Sequence, residues 1–135
     1  MPADLLDAYI AIERTRPFEW SGLANGDCKL FVLGWAERIG FADAGRDWRG
    51  RYCCESEARA LLHLRGGAIA AGIALFGPPR MGSAARRGDV GLLPYEDWHV
   101  GVICTGTMWA LRNGERGIRM TCVEPELSWD LGFSA

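Results

Sequence analysis

The chain offers no segment that reads as an export address. Its start, "MPADLLDAYIAIERTR", carries acids where a signal peptide needs positive charge, and it has no apolar h-region. The most apolar run, "AIAAGIALF" (68–76), is far too short to span a bilayer, so no membrane insertion is expected. A net charge of −2 provides no positive field for phosphates, which argues against nucleic-acid partners. Five cysteines are an odd number and their spacing matches no disulfide framework, so reduced thiols are expected. There is no C-x-x-C pair, and adjacent Cys53 and Cys54 are poorly placed around one tetrahedral ion, so neither metal nor other cofactor is expected. Gly66-Gly67 lacks the lysine and strand–loop–helix context of a phosphate loop and reads as a helix stop. Repeats, low-complexity tracts and linkers are also missing, and 135 residues make one domain, 1–135, with a real core.

What is there divides into two textures. In the first half, Leu5, Leu6, Tyr9 and Ile12 recur at helical spacing, Asp4 can cap, and Pro17 ends the segment. After the loop "SGLANGD" a second, mostly buried helix is expected from Cys28, carrying Leu30, Phe31, Leu33, Gly34 and Ile39. Ser56 to Leu64 reads as a third helix and Ala68 to Phe76 as a fourth, stopped by "GPP". Beyond Pro79 come short β-rich runs, "DVGLLPY", "HVGVICTG", "TMWALRNG" and "GIRMTCVE", with a tight-turn signal at Asn113-Gly114. Helices first and strands afterwards imply α+β, with N-terminal helices packed on a C-terminal antiparallel sheet. The basic loop 80–88 reads as a solvated connector, and "RGD" (87–89) as a Gly-Asp turn into a strand. The tail "EPELSWDLGFSA" can dock Trp129 and Phe133 on the body or on a partner.

Two residues stand out chemically. Cys28 opens a helix, where the dipole and unpaired N–H groups favour thiolate and can hold an oxyanion. On that reading it alkylates before Cys53, Cys54, Cys104 and Cys122. His99 opens an apolar strand with no structural need for an ionisable ring, and from there it can reach a helix-terminal thiol. His63 lies in a helical stretch and is expected to have no chemical role. Asp27 reads as a helix N-cap. Trp20 and Trp98 are near enough in sequence to line a cleft.

Four blocks in this order, "PFEWSG" (17–22), "GDCKLF" (26–31), "RGDVGLL" (87–93) and "HVGVICTG" (99–106), resemble the NlpC/P60 family of papain-like cysteine peptidases. The compact form, with "RGRY" and a "GG" after the third helix, is similar to small phage and prophage members near tail genes. The resemblance implies a papain-like fold, Cys28 as nucleophile, His99 as base, and Asp27 supporting the turn before the nucleophile. It implies a hydrolase of peptidoglycan stem peptides, made in the bacterial cytoplasm, carried with tail or tail-tip proteins and acting at the cell wall. The alternative it leaves is a tail structural or adaptor module on the same fold with catalysis weakened or lost. The sequence departs from the family pattern in three places, of which Phe18 and the missing orienting residue favour that alternative. Phe18 replaces a tyrosine that contributes a hydroxyl, Lys29-Leu30 replaces a small Ser-Gly pair, and only Trp109 and Ala110 stand where a polar residue orients the histidine. Asn113 nearby is better explained by its turn.

Overall fold

A computed structural model describes residues 4–20, 26–112 and 117–134. Four helices come first: α1 (Leu5–Arg14), α2 (Cys28–Arg38), α3 (Glu55–Leu64) and α4 (Ala68–Phe76). Six strands follow: β1 (Arg80–Met81), β2 (Val90–Tyr95), β3 (Trp98–Cys104), β4 (Trp109–Leu111), β5 (Arg119–Thr121) and β6 (Leu127–Trp129). They form one antiparallel sheet in the order β1-β6-β2-β3-β4-β5. The expected α+β arrangement is therefore present. Asn113-Gly114 and most of "SGLANGD" lie outside the described residues. No single helix among the described residues is long and apolar enough to cross a membrane.

The helices bury what their periodicity dictates, with one rotation. In α1 the buried residues are Leu6, Tyr9, Ile10 and Glu13, whereas Leu5 and Ile12 are exposed. The expected stripe is turned because Glu13 faces inward to meet Arg112, a fully buried pair 3.1 Å apart. Both charges leave water together, which is tolerable only because each finds its partner. Helix α2 is buried along Leu30–Ala36 and forms the centre of the core with Trp35, Phe31 and Tyr9. Gly66 and Gly67, both at positive φ, stop α3 and let α4 leave at a 64° bend. Arg87 is no solvated connector: it bonds Asp4, Asp7 and the Thr105 carbonyl, tying the start of α1 to the sheet.

Two of the strands were not legible as strands. The tail contributes β6, which inserts between β1 and β2 with Val90 opposite Trp129. Trp129 is buried and Phe133 packs edge-on against Trp35 at 5.0 Å, so the tail docks on the body. Trp129 is thus withdrawn from the surface, while Phe133 remains partly exposed.

Helix α2 crosses β3 at Gly101. A Cβ there would stand 2.7 Å from Val32 Cγ2 and 3.1 Å from the Cys28 carbonyl oxygen. Gly101→Ala is accordingly expected to push the start of α2 off the sheet, at a cost of about 1–3 kcal/mol. Chemical denaturation measures it, and an unchanged midpoint would show that the crossing can relax.

Candidate active site

The site is built around the start of α2. Asp27 adopts extended backbone as the N-cap, and its Oδ1 accepts the Leu30 N–H at 2.9 Å. The Tyr52 hydroxyl donates to the other oxygen, Oδ2, at 2.5 Å. Asp27 is fully buried, so both carboxylate oxygens are committed to structure. The capping role is as expected, while Tyr52 was missed. Nothing in "RGRYCC" marks it, because its partner lies 25 residues away.

Burial raises the Asp27 pKa above its ordinary 3.8, against the pull of Tyr52 and the Leu30 amide. The folded chain thus holds this proton more tightly than the unfolded one. The stability it contributes is fully present below about 3.8 and is lost as pH rises through the raised folded value. Asp27→Asn keeps an acceptor for the cap and has no such proton to lose. The variant should gain on the wild type in unfolding free energy as pH climbs above that range. A constant difference across the range would contradict this.

Cys28 is the first residue of α2, 6% exposed. Its thiol is not poised as thiolate. Burial pushes it up to about 11, the Asp27 charge adds to that, and Lys29 with the N–H groups of Gly101 and Lys29 only partly opposes them. Desolvation beats the helix dipole here because Cys28 belongs to a buried apolar cluster with residues of β3 and β4, among them Val100, Val102 and Trp109. Cys53, Cys54 and Cys122 are exposed while Cys28 and Cys104 are buried, so alkylation is now expected at the three exposed thiols before Cys28. All five cysteines are free thiols. No cluster of three His, Cys, Asp or Glu side chains among the described residues can hold a metal ion.

The structure nonetheless brings the sequence candidates together. Cys28, His99, Asp27, Trp20 and Trp98 all line one cavity of about 60 Å³, with Tyr52 also in its wall. His99, second residue of β3, alternates onto the same face as Gly101, over which α2 passes. A wider groove of about 350 Å³ continues outward past Trp98 and His99 to Arg59 and His63. Trp20 sits between Phe18 (4.9 Å between rings) and Trp98 (5.9 Å). Trp98 is in turn covered by the Arg59 guanidinium at 4.1 Å, which Asp97 anchors at 2.7 Å. No side chain among the described residues hydrogen-bonds the His99 ring. Trp109 and Ala110 are buried in β4, as apolar as their sequence suggests.

Fold and site together define an α+β domain whose aromatic cleft holds a helix-terminal cysteine and a strand-borne histidine. Residues 3–130 match the family model described as "Domain of unknown function (DUF6950)", and the chain belongs to that family. No curated protein and no solved structure matches it.

Proposed function

We propose that the chain is a small papain-like cysteine hydrolase of NlpC/P60 type, cutting peptidoglycan stem peptides in association with a phage or prophage tail. One observation carries the reading: Cys28 and His99, far apart in sequence, line the same cavity. In the reaction the His99 imidazole takes the thiol proton as the sulfur attacks the amide carbonyl, forming the C–S bond. The histidine then protonates the departing amine, and water hydrolyses the thioester. The Leu30 N–H is committed to Asp27 and the Lys29 N–H to Asp27 and the sulfur, so Cys28's own amide, which bonds no acceptor among the described residues, is the helix-start donor for the oxyanion. With the thiol pushed up to about 11, the proton transfer must accompany attack rather than precede it.

The same burial, and the lack of an orienting partner for the His99 ring among the described residues, favour a second reading: a tail structural or adaptor module that keeps the fold without the chemistry. Incubation of the purified chain with stem peptides decides between them. New amine and carboxylate ends, read by mass, support the hydrolase. Intact peptides, together with co-purification of the chain with tail proteins, support the adaptor.

A further inference from the structure

Fifteen residues of this chain are lysine or arginine, and only one of them, Lys29, is lysine. It directly follows Cys28 and lines the same cavity. Its ammonium lies over the Trp48 ring, 3.8 Å from the centroid, and no carboxylate among the described residues forms a salt bridge with it. The neighbouring Asp27 has both oxygens engaged elsewhere. Trp98 also lines this cavity, and its buried indole N–H has no hydrogen-bond acceptor among the described residues. A cavity lined by a cation and a buried donor, neither with an acceptor among the described residues, is complementary to an anion such as a carboxylate. An ammonium suits this position better than a guanidinium because it is a compact point charge that fits beside one ring face.

We propose that Lys29 is a specificity-determining residue that binds a free carboxylate of the substrate beside the bond attacked by Cys28. The proposal rests on the hydrolase reading for the occupant being a substrate. Its chemical class is a peptide acid, as distinct from a peptide whose carboxyl groups are amidated. Burial has already lowered Lys29 to about 8, and an arriving carboxylate restores the lost stabilisation of the ammonium.

A single lysine makes the test direct. The chain is produced with ¹³C-labelled lysine, so that one side-chain resonance reports on residue 29. It is titrated with N-acetyl-dialanine and, separately, with the carboxamide of the same dipeptide. The acid should move the Lys29 resonance, raise its titration midpoint and bind about tenfold more tightly than the amide. In Lys29→Gln, followed by tryptophan fluorescence, the two probes should bind alike, while Lys29→Arg should retain part of the preference. Circular dichroism checks that both variants fold. An unmoved resonance, an equal response to acid and amide, or a preference that survives Lys29→Gln overturns the proposal. Binding of the probes needs no turnover, so the two readings fail separately. Acid selection without cleavage of stem peptides removes the hydrolase and keeps the carboxylate site. Cleavage without acid selection does the reverse.

Discussion

Cys28→Ser is expected to lower cleavage of purified stem peptides by on the order of a thousandfold or more, and His99→Ala to do the same. Serine keeps the shape and a hydroxyl, but it has no soft, ionisable sulfur to attack the carbonyl. Alanine at 99 leaves α2 and its cap untouched and removes the only imidazole lining the cavity. A thiol held near 11 makes the histidine more necessary, since almost no spontaneous thiolate is present at neutral pH. The double variant should lose little more than either single one, because residues that act as one unit give non-additive losses. His63→Ala should keep most activity: His63 is exposed on α3 and borders only the outer groove. Folding is checked by melting, as a hydroxyl in a 6% exposed position can itself destabilise the core. Single variants that retain wild-type rates would remove the dyad. Losses that multiply in the double variant would show two independent roles.

The second large effect concerns the tail. Trp129→Ala should cost about 3–5 kcal/mol, a large part of the stability of a domain this size. The indole is 2% exposed, its N–H donates to the Gly77 carbonyl at 2.8 Å, and its ring reaches Phe76 at 6.4 Å between centroids. Gly72 on α4 admits it, because a Cβ there would stand 2.6 Å from the ring. Removing residues 125–135 should go further and abolish cooperative folding. It deletes β6, the strand that joins β1 to β2, and withdraws Phe133 from Trp35. Denaturant titration measures the first and a thermal melt the second. A truncated chain that melts like the intact one would return the tail to the status of a detachable arm.

Much of the architecture is determined locally and so can be read from the residues alone. Helix α4 matches its expected bounds because "GG" and "GPP" act on their own neighbours; α3 begins one residue early. Strands β2 to β5 follow from alternation between turn residues, and the capping by Asp27 from its place before an apolar helix. The class, α+β, comes with them. The inner face of α1, the strand hidden in the tail and the state of Cys28 were decided only by tertiary structure. Glu13 turns inward for an arginine 99 residues away, and three residues after Pro125 become a strand only because β1 and β2 leave a gap to fill. The helix dipole at Cys28 is a local property that favours thiolate. Its desolvation comes from β3 and β4, elements more than 70 residues on, and burial outweighs the dipole. Short-range rules therefore place the cysteine and the histidine, while the proton on the sulfur is set by packing that no short stretch of sequence contains.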